Sequence, residues 1–338
     1  MIDPLPPSVA SPLPDDTLVG ASRAMREVKQ YLPKVAAADC NVLITGETGT
    51  GKERVAAWIH RHSRRAARPL VSINCAAIPD GLLESELFGF ERGAFTGAHT
   101  AYAGKLRQAE GGTLFFDEIG DMSPSAQAKI LRAIEAKEVC QLGGRRNVPI
   151  DVRIVAATNQ DLETMVANQR FRKDLYYRLD VAHIHLPPLR ERAEDIPLIF
   201  EHCLAEMNVR SGRHVGAPSR EALTCLLTHA WPGNVRELRN LLEAIFISPP
   251  EGGISLDDLP PRFRAHLGDS GRENNSECER LLAALFAVDW NKSKAAAALH
   301  WSRMTLYRKM AKYHIEREVT PQEGRRVAGK SSRQDRAL

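Results

Sequence analysis

Gly46-Glu47-Thr48-Gly49-Thr50-Gly51-Lys52-Glu53 decides how the rest of the chain is read. An apolar run over residues 41–45 precedes it and a helix is expected to start near Lys52, so the glycines lie between a strand and a helix. Glycine there lets backbone N–H groups turn toward a β-phosphate, the helix N-terminus adds positive potential, and Lys52 reaches the β- and γ-phosphates. Glu53 stands where Ser or Thr usually supplies a hydroxyl to Mg²⁺. The ion is therefore expected to rely on water, phosphate oxygens and another carboxylate.

That carboxylate comes from Gly111-Gly112-Thr113-Leu114-Phe115-Phe116-Asp117-Glu118, an apolar strand ending in two acids. Asp117 is expected to hold Mg²⁺ through its water shell, and Glu118 to orient and polarise the water that attacks the γ-phosphate. Taken alone, a strand followed by Asp-Glu is equally a helix-capping arrangement. Beside Lys52 it reads as a nucleoside triphosphatase.

Working outward, apolar runs at 41–45, 70–74, 113–116, 152–158 and 183–186 alternate with helix-like segments. This predicts an α/β fold with a parallel sheet covered on both faces. After Pro187-Pro188 only helices are expected, over 196–207, 219–229 and 234–246, forming a smaller helical unit. The expected division is a flexible leader at 1–16, an α/β ATPase subdomain at 17–186, a helical lid at 187–262 and a linker at 263–276. A small all-α helix-turn-helix domain at 277–317 and a basic, disordered tail at 318–338 complete it.

The chain has 338 residues, 43% hydrophobic and 26% charged, which suits about two folded domains rather than one small domain or a disordered chain. No run approaches the ~18 apolar residues of a membrane span, and the first sixteen residues hold five prolines but no basic-then-apolar leader. A cytoplasmic protein without a membrane partner is expected. Cys40, Cys75, Cys140, Cys203, Cys225 and Cys278 form no Cys-x-x-Cys pair, which fits reduced thiols better than a zinc site. The net charge of +4 is uneven: residues 277–338 hold thirteen Lys and Arg against seven Asp and Glu. A basic end on a near-neutral body points to a polyanion such as nucleic acid.

That basic end reads as helix-turn-helix on its own terms. Asn291-Lys292-Ser293-Lys294 opens an Ala-rich helix, and His300-Trp301 breaks the pattern. Ser302 is then a suitable N-cap for a basic helix through Lys312. Ser302, Arg303 and Thr305 are expected near base edges, with Arg308, Lys309 and Lys312 on phosphates. A short helical hairpin with no DNA role has the same spacing.

Gly93-Ala94-Phe95-Thr96-Gly97-Ala98 adds a further motif: small residues and two glycines around one Phe describe a mobile loop tip presenting an aromatic anchor. With this motif, the chain resembles the bacterial enhancer-binding proteins, AAA+ activators of sigma-54 RNA polymerase, from about Val19 to Ile315. The resemblance implies that residues 93–98 engage sigma-54. It also implies that Asn74 pairs with Glu118 and switches it, and that Asn159 is the sensor I amide near the γ-phosphate. Arg172 and Arg178 would be arginine fingers reaching a neighbouring subunit's ATP, and Arg236 the sensor II residue of the lid. Residues 141–146 resemble a second pore loop with a supporting role. Phe90 departs from the family, which commonly has His there.

The implied protein is a homo-hexameric ATPase that binds upstream double-stranded DNA and remodels the closed sigma-54 polymerase holoenzyme complex into an open one. A regulator using ATP only to control its assembly would be expected to have a degraded 93–98 loop. A GTPase would carry an Asn-Lys-x-Asp guanine-selecting motif, which is absent. With the ATPase unit expected to begin within twenty residues of Met1, no sensory domain is expected ahead of it. Control would come from a trans-acting regulator, from concentration, or from a segment lost by truncation.

Overall fold

The computed structural model describes residues 18–96, 98–268, 276–288 and 290–312. The expected leader, Gly97, residues 269–275 and the expected tail lie outside them.

The first layer sequence is α1 (Arg23–Ala37), β1 (Val42–Thr45), α2 (Lys52–Arg61), β2 (Leu70–Asn74), α3 (Asp80–Phe88), α4 (Lys105–Gln108), β3 (Thr113–Asp117) and α5 (Pro124–Ala136). A short antiparallel pair, β4 (Glu138–Cys140) and β5 (Asn147–Pro149), leads to β6 (Arg153–Thr158), α6 (Leu162–Ala167), α7 (Lys173–Leu179) and β7 (Ala182–His185). Five strands form one parallel sheet in the order β2-β3-β6-β1-β7. All six residues of β6 are buried, as a central strand covered on both faces requires.

Because the strands run parallel, their C-terminal ends share one edge. Thr45 pairs with Thr158 and Asn74 with Asp117, so the phosphate loop, the acid pair and Thr158-Asn159 emerge side by side. The opposite edge is tied to α1. There the buried Arg153 donates to the carbonyls of Val35, Ala36 and Cys40 at 2.7, 3.3 and 3.0 Å, satisfying acceptors that the end of α1 leaves open. Asp195, fully buried, fixes the start of α1 by accepting from Ala21 N, Ser22 N and Ser22 Oγ at 2.6–2.8 Å.

The lid contains α8 (Ile196–Ser211), β8 (Gly216–Pro218), α9 (Arg220–Thr228), α10 (Asn234–Ile247), β9 (Gly253–Ile254) and α11 (Pro261–Gly268). Two expectations are corrected here. The lid is not helices only, since β8 and β9 pair in parallel; strands this short leave no periodic signal. Nor does a linker begin at 263. Pro261 sits at the first position of α11, where its missing N–H costs nothing. Phe263, 1% exposed, packs its ring against His229 and Trp231 at centroid distances of 4.7 and 5.7 Å. Phe263 and Leu267, set among Arg262, Arg264 and His266 in only two turns, give too short a pattern to mark this helix in the sequence.

Residues from His266 onward form a second compact unit. In it α12 (Ser276–Ala287), α13 (Lys292–Ala298) and α14 (Arg303–Lys312) enclose Leu281, Leu285, Ala295, Ala296, Leu306 and Met310. Small alanines let α13 lie close to its neighbours. Asn291 caps α13 by accepting from Lys294 N at 3.2 Å, and Ser302 caps α14 by accepting from Thr305 N at 3.1 Å.

If α11 belongs to the lid core, Phe263→Ala should destabilise the first unit by about 3–5 kcal/mol in urea unfolding. A loss under about 1 kcal/mol would return this segment to linker status.

Candidate nucleotide cleft and contact loop

Lys52 is 5% exposed, and its Nζ donates to Gly46 O at 2.9 Å and lies 3.4 Å from Glu118 Oε1. The phosphate loop thus holds its own cation in place, beside a carboxylate. Glu118 has a left-handed backbone (φ 52°) at the turn after β3, and its Oε2 accepts from Asn159 N at 2.9 Å. Asn159 Nδ2 in turn donates to Thr48 Oγ1 at 2.9 Å. Lys52, Glu118 and Asn159 are therefore brought together, as expected. A cleft of about 310 Å³ is lined by Thr48, Gly49, Gly51, Lys52, Glu53, Asp117, Glu118 and Arg236.

Asn74 is corrected. Its Nδ2 donates to Asp117 Oδ2 at 2.8 Å, not to Glu118, while its Oδ1 accepts from Ala77 N at 3.0 Å. The register of β2 with β3 sets this outcome: Asn74 lies directly opposite Asp117, whereas Glu118 turns away toward Asn159. Burial and the neighbouring Glu118 raise the Asp117 carboxyl above its ordinary value, and Lys52, Asn74 and Arg236 pull it back. Asp117 and Glu118 share the buried Lys52, and the cleft wall adds Arg54, Arg236 and Arg239 against Glu53 and Glu243, so both signs of charge face the cleft.

Glu47 lies in the loop, but its side chain serves the lid. Arg190 donates to both of its oxygens at 2.8 and 2.6 Å, and Asn234 Nδ2 adds a contact at 3.2 Å. These groups hold the Glu47 carboxyl below the usual carboxylate range, Arg190 most strongly. Asn234, fully buried with φ 50°, also donates to Thr48 O and accepts from Leu189 N. Val235 N and Arg236 N donate to Gly49 O at 3.0 and 3.3 Å. Gly49 is obligatory: a Cβ there would lie 2.3 Å from Gly233 O. Arg190 and Asn234 escaped sequence reading because each meets its partner more than 140 residues away.

Arg172 and Arg178 do not line their own cleft. Arg172 pairs with Asp174 at 3.0 and 2.7 Å on the exposed start of α7. Arg178 borders a separate cleft of about 250 Å³ at the other edge of the sheet, beside Asp151 and Arg153.

Residues 93–98 stand on a neck formed where Phe90 bridges Tyr102 and Leu142. Gly93, with φ 83°, donates to Ala98 O at 2.9 Å and closes the turn. Phe95 is 45% exposed and rests edge-on against Phe90 at 4.9 Å; Thr96 is exposed. Leu142 N donates to Gly89 O and Glu91 N to Leu142 O, tying residues 141–146 to this neck. Phe90 is thus the aromatic support of the loop.

In the second unit Ser302, Arg303 and Arg308 are exposed, whereas Thr305 is half-buried and hydrogen-bonded to Ser302. Lys309 is half-buried, its Nζ 5.2 Å from the Trp301 ring centre. The Lys312 side chain lies outside the described residues. Among the described residues no helix is long and apolar enough to cross a membrane.

Comparison with known proteins follows this division. Residues 18–185 match the sigma-54 interaction domain, 190–276 the AAA+ ATPase lid domain, and 274–313 the bacterial regulatory protein, Fis family. The Nif-specific regulatory protein of Azotobacter vinelandii is 46% identical over 295 residues, covering 84% of this chain and 56% of that protein. The transcriptional regulatory protein ZraR of Klebsiella oxytoca is 44% identical over 315 residues, covering 90% and 71%. The crystal structure of NtrX from Brucella abortus in complex with ATP matches with a TM-score of 0.76 and 34% identity, covering 88% of this chain and 70% of that one. The chain therefore spans between about half and three quarters of the length of these relatives.

Removing the bidentate contact by Arg190→Ala, or its partner by Glu47→Gln, should each weaken ATP binding about two- to fivefold in calorimetry. The double variant should be no worse than either single one. Additive losses would mean that the two residues act separately.

Proposed function

Because the chain belongs to the family of sigma-54-interacting AAA+ ATPases with a Fis-type helix-turn-helix, we propose that it is an ATP-driven activator of sigma-54 transcription. It binds double-stranded DNA upstream of a promoter through residues 276–312 and works in the cytoplasm as a homo-hexameric ring. It spends hydrolysis on converting the closed sigma-54 polymerase complex to an open one. The observation that carries this reading is one cleft edge joining Lys52, Asp117, Glu118 and Asn159, with a separately presented Phe95–Thr96 tip.

In this reading Lys52 and the loop N–H groups from Gly46 to Glu53 bind the β- and γ-phosphates. Glu118, held by Asn159 N, orients the attacking water and receives its proton, and the Asn159 amide senses the γ-phosphate. Arg236 reports occupancy to the lid. Asp117 would hold Mg²⁺, and the donor set fits: Asp117, Glu118 and Glu53 are hard oxygen donors, whereas the Thr50 hydroxyl is committed to Glu47 O at 2.8 Å. When bound, the ion supplies charge neutralisation between the phosphate oxygens.

Arg172 and Arg178, off their own cleft, serve as fingers for a neighbour, which makes turnover depend on assembly. Asn74 links Asp117 to Ala77, just ahead of α3, and α3 ends at the neck of the contact loop. This contiguous route carries the state of the cleft to Phe95 and Thr96. Residues 141–146 steady the loop.

Glu118→Gln should bind ATP with near-normal affinity and lower kcat by about 10²–10⁴-fold; wild-type turnover by this variant would remove the base assignment. Thr96→Ala should keep ATPase activity within about twofold yet yield no open complex on a sigma-54 promoter, scored by permanganate footprinting. Retained opening would show that residues 93–98 are not the contact.

A further inference from the structure

The basic helix α14 presents a different set of groups to the outside from the one its composition suggests. Leu306 and Met310 point into the three-helix core, which leaves Arg303, Met304, Tyr307 and Arg308 on the outer surface. The hydroxyls of Ser302 and Thr305 bond to each other at 2.8 Å, and Ser302 also caps the helix. Neither is a free reader of bases. Tyr307 is only half free, with Lys292 Nζ 5.0 Å from its ring centre. Met304 is 79% exposed in the first turn.

A single exposed apolar side chain ordinarily needs no explanation. Met304 differs in its surroundings, because α14 carries four basic residues and no acidic one, a surface that calls for a polyanion. The first turn of a recognition helix is also the part that meets base edges in a major groove. The one apolar group that bases display there is the C5-methyl of thymine. An unbranched thioether adapts its shape to such a contact, and Arg303 and Arg308 would flank it with charge.

Resting on the DNA-binding reading above, we infer that Met304 is a specificity-determining residue that packs on a thymine methyl group in the major groove. The hydroxyl pair Ser302–Thr305 shapes the start of the helix instead of reading sequence. Arg303 supplies the polar half of the readout.

The test uses the full chain to enrich duplexes from a random-sequence pool, and then replaces each thymine of the enriched site by uracil, one at a time. Uracil keeps every hydrogen-bonding group and lacks only the methyl. At one or two positions the wild-type protein should bind the uracil duplex about fourfold more weakly, the effect of one desolvated methyl group. Met304→Ala should bind thymine and uracil duplexes equally there. It should keep the wild-type melting temperature and affinity for random duplex. If no uracil substitution weakens the wild type, or if Met304→Ala retains the same losses, the assignment is overturned while DNA binding stands. If the chain enriches and binds no duplex, the DNA-binding reading itself falls and takes the assignment with it.

Discussion

Gly49 O receives two main-chain hydrogen bonds from the first turn of α10, and the rest of the nucleotide machinery depends on that contact. The phosphate loop is rich in glycine so that its N–H groups can face inward, yet its carbonyls must then find donors elsewhere. The lid supplies them: Val235 N and Arg236 N reach Gly49, and Asn234 reaches Thr48. A helix start has spare N–H groups to give. The same geometry sets Arg236 on the cleft wall, so this pair of bonds fixes both the loop and the residue proposed to report its occupancy. Glu47 and Arg190 add a charged strap to this joint from the solvent side, where screening keeps it weak and reversible.

The electrostatics of the cleft follow from a parallel sheet ending at one edge. Asp117 and Glu118 leave the same strand, yet they are turned to different partners by the positive φ of Glu118. Asp117 stays beside Asn74 on the neighbouring strand; Glu118 crosses to Lys52 and Asn159. That separation assigns the two acids different tasks. Asp117, with its carboxyl raised by desolvation and by Glu118, is suited to a cation, and Glu118, held by a backbone N–H, remains aimed at the phosphate loop.

What the sequence revealed was local. The phosphate loop, the strand ending in Asp117-Glu118, the β/α alternation and the capped helices from Asn291 and Ser302 are each written within a few residues. Contacts between distant segments were not legible. Asn74 and Asp117 meet through strand register, and a one-residue choice at the end of β3 decides which acid Asn74 reaches. Phe263 joins the lid through one ring among charged neighbours, which no periodicity registers. The outward position of Met304 follows only from the packing of Leu306 and Met310 on the inner face of α14. A family resemblance supplied the roles of Arg172 and Arg178, since nothing near either residue in the sequence announces a phosphate.

If Arg172 acts as the proposed finger, its placement gives dependence on assembly without any dedicated lock. In the single chain its guanidinium has a partner, Asp174, two residues away and equally exposed. A solvent-exposed ion pair is weakly held, because water and salt compete for both charges. A triphosphate in a neighbour's cleft offers more negative charge in a less hydrated place, so the guanidinium gains by leaving Asp174 only when such a neighbour is present. Asp174 thus parks the charge without trapping it. The contact loop is built on the same scale of interaction: Phe95 rests on Phe90 by one edge-to-face contact while nearly half its surface stays in water. Both ends of the working cycle, the arginine that would complete the cleft and the phenylalanine that would meet sigma-54, are held by contacts weak enough to be exchanged. The joint of Gly49 with α10 is made instead of two main-chain bonds, at 3.0 and 3.3 Å, between elements held by the sheet and the lid core.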